Sequence, residues 1–149
     1  MAETIPIASD HAGFAMKTRL VQELASLGFV PEDLGTDSAN SVDYPDYAHH
    51  VAERIARGEA TRGVLLCGTG NGMAIAANRH RGVRAAMAWT PELAHLAREH
   101  NDANVLVLPA RFLDEESGVA ILTEWLTTPF AGGRHAGRVA KIEASEAHA

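Results

Sequence analysis

The segment that most restricts the fold is Gly63-Val64-Leu65-Leu66-Cys67, a continuous apolar run that stops at the turn Gly68-Thr69-Gly70-Asn71-Gly72. A short apolar run bounded by glycine reads as a strand buried on both faces, and such strands belong to parallel sheets covered by helices. The rest of the chain alternates accordingly. Ile5 to Ser9 reads as a first strand, followed by the loop Asp10-His11-Ala12-Gly13. Phe14 to Leu27 follows as a helix, with Phe14, Leu20, Val21, Leu24 and Leu27 at near-helical spacing and Gly28 as its C-cap. Phe29 to Leu34 reads as a strand, and Tyr44 to Gly58 as a helix facing the core with Ala48, Val51, Ala52 and Ile55.

Beyond the glycine turn, a short helix is predicted over Met73 to Asn78 and a strand over Val83 to Trp89. Pro91 to Glu99 reads as a helix with proline in its first turn, where a missing N–H costs nothing. Val105 to Leu108 is a fifth strand and Asp114 to Leu126 another helix; a last helical segment follows Arg134 and frays from Glu143 to Ala149. The pattern predicts one α/β domain over residues 1–149: a three-layer, Rossmann-like fold with a five-stranded parallel sheet and helices on both faces.

Composition narrows the function classes. With 46% hydrophobic and 21% charged residues, the 149-residue chain can bury a core without disulfides or a structural metal. Cys67 is the single cysteine, so no internal bridge can form and a reducing compartment is the natural expectation. A formal net charge of −6 and a pI near 5.7 argue against a nucleic-acid partner, although a few arginines can still dominate one pocket. Met1-Ala2-Glu3-Thr4 lacks the basic and apolar regions of a signal peptide, and no apolar run reaches the roughly 18 residues of a membrane span. The expectation is a cytoplasmic protein with no membrane partner.

In open parallel sheets, ligands bind beyond the carboxyl ends of the strands, and the conspicuous polar residues fall there: Asp10, His11, Cys67 to Gly72, and Arg111. The turn after Cys67 lacks side-chain bulk at Gly68, Gly70 and Gly72, so backbone N–H groups can close around an anion. A thiol beside the positive end of a helix ionises more readily than a free one, which makes Cys67 a usable base or nucleophile. The competing reading, a buried cysteine acting as a small hydrophobe, loses ground because of this loop. The turn is neither a dinucleotide fingerprint, since Met73 occupies the place of a third glycine, nor a P-loop, since no Gly-Lys-Ser/Thr follows.

Asp10 fits a helix N-cap as well as a site residue. His100, at a helix end before Asn101-Asp102, suits either a C-cap partner or a general acid. Arg134 and Arg138 lie four residues apart after Gly132-Gly133, on one side of a helical segment; they suit phosphate oxygens or a solvated helix face equally. His49-His50 are adjacent and His95 and His100 are five apart, so no zinc spacing occurs, and the expected site uses neither metal nor organic cofactor.

As an ordered set, these blocks resemble the type B ribose-5-phosphate isomerases, grouped with the allose- and galactose-6-phosphate isomerases. The matching blocks are Ser9 to Gly13, Asp43 to Ala48, Gly68 to Asn78, Ala97 to Asn104 and Gly132 to His135, spanning nearly the whole chain. The resemblance implies an aldose–ketose isomerase acting on ribose 5-phosphate through an enediolate. By it, Cys67 is the proton acceptor between sugar carbons C1 and C2. A related subgroup has a glutamate after the glycine loop, where this chain has Met73. The resemblance further implies that Thr69 and the amides of Gly68, Gly70, Asn71 and Gly72 steady the enediolate. His100, with Asp10 as counterpart, opens the sugar ring; His11, Arg134 and Arg138 hold the phosphate; Asn101 and Arg111 complete the site.

Relatives form dimers in which His100, Asn101 and Arg111 come from the neighbouring subunit, so a homodimer or tetramer with shared sites is implied. Pro109-Ala110 departs from the smaller or glycine-containing pairs of relatives and leaves the placement of Arg111 open. Two other readings stay in view: isomerisation of a six-carbon substrate, allose 6-phosphate or galactose 6-phosphate, and a non-catalytic sugar-phosphate sensor.

Overall fold

The computed structural model describes residues 1–143. The fraying predicted beyond Glu143 lies outside the described residues. Five parallel strands, β1 (Thr4–Ser9), β2 (Val30–Asp33), β3 (Gly63–Cys67), β4 (Ala85–Met87) and β5 (Val105–Pro109), form one sheet in the order β2-β1-β3-β5-β4. Among the described residues six α-helices accompany them: α1 (Phe14–Ser26), α2 (Tyr44–Ala56), α3 (Asn71–Ala77), α4 (Pro91–Asn101), α5 (Glu115–Thr127) and α6 (Arg134–Ala140). The predicted three-layer α/β fold is the one observed.

The period of two in the central strands divides the core. Val64 and Leu66 of β3, with Leu106 and Leu108 of β5, point towards α1, α4 and α5, where Leu20, Leu24, Ile121 and Trp125 meet them. Leu65 and Cys67, with Val105 and Val107, point towards α2 and α3, onto Val51, Ala52, Ile55 and Met73. Full burial on both faces is why β3 and β5 read as unbroken apolar runs.

The helices begin where capping chemistry places them. Thr90 accepts from the Leu93 N–H at 3.2 Å and Asp114 from the Ser117 N–H at 2.7 Å. Three sequence expectations shift. In α1 the buried stripe is Met16, Lys17, Leu20 and Leu24, whereas Leu27 is exposed. Lys17 is buried because its ammonium is satisfied by both Asp33 carboxylate oxygens at 2.7 Å. The fourth strand shrinks to Ala85–Met87, the Asn78 amide bonding both the N–H and C=O of Ala85 and so blunting this sheet edge. Asp102 adopts a left-handed conformation, and α4 runs on to Asn101 before it.

Candidate active site

The strand order reverses between β1 and β3: the chain leaves β1 for β2 on one side and later returns to place β3 on the other. At such a point the outgoing loops part and open a crevice at the carboxyl edge of the sheet. Asp10 follows the end of β1 and Cys67 ends β3. The Asp10 N–H donates to the Leu66 carbonyl at 3.2 Å, tying the strand ends together. Asp10 is 7% exposed, and its Oδ1 accepts from the N–H groups of Ala12 and Gly13 at 3.0 and 3.2 Å. Asp10 therefore caps the first turn at the switch point of the sheet. His11 accepts from the Val42 N–H through Nδ1 at 3.2 Å, which leaves Nε2 as the ring nitrogen free for a ligand.

Cys67 ends β3 on the α2 and α3 side and is 5% exposed, with Ala8, Leu65 and Met73 in the same cluster. Within one chain the thiol is almost closed off, more so than the sequence suggests. The loop after it is built on Gly70, whose φ of +81° is left-handed and whose Cβ would lie 2.6 Å from the Met87 sulfur. The Thr69 hydroxyl accepts from the Asn71 N–H at 3.2 Å, so α3 starts at Asn71, earlier than the expected Met73. This withdraws the Asn71 amide from the set expected to face a ligand. Among the described residues, the N–H groups of Thr69, Gly70 and Gly72 keep no partner.

Arg111 belongs to this same edge. Its N–H donates to the Gly68 carbonyl at 3.0 Å, and its side chain lies where a Cβ on Gly68 would be within 3.1 Å. Within one chain Arg111 already stands at the glycine loop. Cys67 pairs with Pro109 in the β3–β5 register, which seats Arg111 over its own chain's glycine loop.

The remaining predicted residues lie elsewhere. Helix α4 leaves the carboxyl end of β4 and returns antiparallel to the strands, so His100 and Asn101 arrive at the amino edge, just before β5. One strand of five residues separates the edges, roughly 15 Å. Here His100 and His135 stack with centroids 4.4 Å apart and planes at 14°. His100, Asn101, His135 and Arg138 line a 330 Å³ pocket together with Val139 and Ile142. Arg134 and Arg138, both on α6, are exposed. The His135 pKa is pushed down by burial, then by His100, Arg134 and Arg138.

The chain thus gathers Asp10, His11, Cys67, Gly68, Thr69, Gly70, Asn71, Gly72 and Arg111 at one edge, and His100, Asn101, Arg134 and Arg138 at the other. It does not bring His11 to the two α6 arginines, nor Asp10 to His100. Sequence reasoning missed Tyr44, whose ring fills the space a Cβ on Gly72 would need, and the stacking partner His135. Both stood inside quoted blocks, but only tertiary packing joins them to the site. Among the described residues, no group of three or more His, Cys, Asp or Glu side chains is gathered as a metal ion would require. No helix there is long and apolar enough to cross a membrane.

Fold and site together define a small α/β protein with a ligand cradle at the carboxyl edge of its sheet. The chain belongs to the Ribose/Galactose Isomerase family, whose model matches residues 5–142. It is 43% identical over 142 residues to ribose-5-phosphate isomerase B of Escherichia coli, covering 95% of each chain. Its fold is similar to that of a ribose 5-phosphate isomerase from Thermotoga maritima, with a TM-score of 0.93 at 51% identity, over 97% of this chain and 99% of that one. The Mycoplasma genitalium ribose-5-phosphate isomerase B, solved with bound ribulose 5-phosphate, gives a TM-score of 0.95 at 38% identity over 100% and 99% of the two chains. The chain is a sugar-phosphate isomerase by these likenesses.

Proposed function

We propose that this protein interconverts ribose 5-phosphate and ribulose 5-phosphate in a site assembled from two copies of the chain. The observation that carries the reading is the pairing of a strand-end thiol with partnerless loop amides at the switch point of the sheet. The likeness to an isomerase holding ribulose 5-phosphate supports the choice of substrate.

The chemistry runs in two stages. His100 gives a proton to the ring oxygen while Asp10 takes the anomeric hydroxyl proton; the C1–O bond breaks and the open aldehyde results. The Cys67 thiolate then removes the proton on C2, and the electron pair forms C1=C2 with the charge on O1. The amides of Thr69, Gly70 and Gly72 donate to that oxygen, an arrangement worth several kcal/mol at the barrier. Cys67 returns its proton to C1 while the O2 proton passes to O1, leaving the ketose. Phosphate binding by His11 and by Arg134 and Arg138 of the second copy holds the reacting carbons in place.

Two copies are needed because Asp10 and His100 stand a strand length apart in one chain. The carboxyl edge also exposes Ile75 (69%), Phe112 (60%), Leu93 (45%) and Trp89 (42%), an apolar surface that suits a covering subunit. A direct assay tests the proposal: the protein is mixed with ribose 5-phosphate, allose 6-phosphate or galactose 6-phosphate, and ketose formation is followed. Ketose from ribose 5-phosphate at the highest rate is expected. A higher rate with a six-carbon sugar would reassign the substrate, and binding without any ketose would make the protein a sensor.

A further inference from the structure

A general acid must aim one ring nitrogen at its substrate, yet His100 is 40% exposed at a helix end, where packing alone does not fix the ring. We propose that Glu99 is the positioning residue for His100, holding its Nε2 so that Nδ1 faces the sugar, and that His95 pins Glu99 in turn. The inference rests on the ring-opening role given to His100 above.

Glu99 uses its two oxygens differently. Oε2 lies 2.7 Å from His95 Nε2, one helical turn back on α4, while Oε1 lies 3.5 Å from His100 Nε2. His95 is held at its other end by Glu124 of α5, with Nδ1 to Oε1 at 2.8 Å. The Thr128 hydroxyl donates to the Glu124 carbonyl at 2.7 Å and so faces His95 Nδ1, 3.2 Å away, as an acceptor. Both His95 nitrogens therefore meet acceptors, which suits the imidazolium. Its pKa is raised by the hydrogen bonds to Glu124 and then Glu99. The hydrogen bond from His95 fixes the Glu99 carboxylate beside His100. The Ala131 N–H donates to the Glu99 carbonyl at 3.0 Å, fastening the segment that leads into α6 and setting the His135 ring flat against His100. Glu99 holds His100 by its edge and His135 holds it by its face. A carboxylate facing one imidazole nitrogen favours the ring orientation that turns the other nitrogen away from it.

The test separates ring opening from proton transfer. Ribose 5-phosphate is chiefly a closed ring, whereas ribulose 5-phosphate, with its C5 oxygen esterified, cannot form the five-membered ring and arrives open. A fault confined to ring opening slows net isomerisation in both directions, as the fixed equilibrium constant requires, but spares exchange of the C1 hydrogen of ribulose 5-phosphate with solvent, which needs only the enediolate step. For E99Q, kcat/KM for isomerisation is expected to fall about tenfold, while that exchange stays within about twofold. Equal losses of isomerisation and exchange, as a structural role gives, or no loss of either, would overturn the inference. H95Q, one step further from the sugar, is expected to show the same loss of isomerisation alone at smaller size and serves if E99Q does not fold; an equal loss of exchange there overturns it too. A wild-type protein inactive in both directions is a different result, because it removes the isomerase reading itself and this role with it.

Discussion

The two edges of the sheet are built by different means. At the carboxyl edge, backbone does the positioning: a left-handed Gly70, the Asp10 N–H on Leu66, and the Arg111 N–H on Gly68 fix the loops, and Asp10 and Cys67 are 7% and 5% exposed. At the amino edge, side chains on helix ends hold one another, His135 against His100 and Glu99 between two histidines, and His100 stays 40% exposed. One half is finished within a single chain and the other is left open. On the proposed mechanism the built half carries the loop amides that meet developing charge, and preorganised donors need not move during reaction. On the same mechanism the open half adds His100 to ring opening and Arg134 and Arg138 to phosphate capture, steps that require the sugar to enter and leave.

Replacing the thiol tests the finished half and carries the largest effect. Cys67→Ser is expected to lower kcat for ribose 5-phosphate by about a thousandfold while KM changes less than about threefold, since the proposed role of the thiol is proton transfer and not phosphate capture. Steady-state kinetics in both directions reads this, and near-wild-type turnover would remove the thiol from the chemistry. The pairing of halves is tested next. C67S and H100N are each expected to be nearly inactive, but co-refolding equal amounts should restore about a quarter of wild-type activity, because half of randomly paired dimers are mixed and each has one intact site. No recovery would mean that both halves of a site come from the same chain.

The sequence displays the finished half far better than the open one, for a physical reason. Gly68 to Gly72 and Ser9 to Gly13 are local: strand, turn and helix start follow each other in the chain, so residue order already encodes the geometry. The five strands and their helices were legible on the same ground, since buried β3 and β5 are unbroken apolar runs. What could not be read was contact between distant segments. Tyr44 over Gly72, Arg111 over Gly68 and His135 on His100 depend on register and helix packing that no spacing reports. Lys17 shows the same limit: a lysine in α1 reads as solvent-facing until Asp33, at the end of β2, is known to receive it.

A pair of glycine substitutions sharpens the contrast with smaller effects. Gly70→Ala forces a Cβ to within 2.6 Å of the Met87 sulfur at a φ of +81°, and a loss of about 1–3 kcal/mol is expected, with activity falling as the amides are displaced. Gly137, in the middle of α6, is the opposite case. Nothing lies within 4 Å of a Cβ built there, and its backbone is outside the left-handed region. Gly137→Ala is therefore expected to stabilise α6, raising unfolding stability by at most about 1 kcal/mol, with activity unchanged. Urea denaturation and the ribose 5-phosphate assay together read both variants. Should Gly137→Ala keep its stability yet lose activity, the added methyl must meet something absent from the single chain. That outcome would put a second copy's surface against α6 and make glycine at this position a requirement of the assembled site, not of the fold.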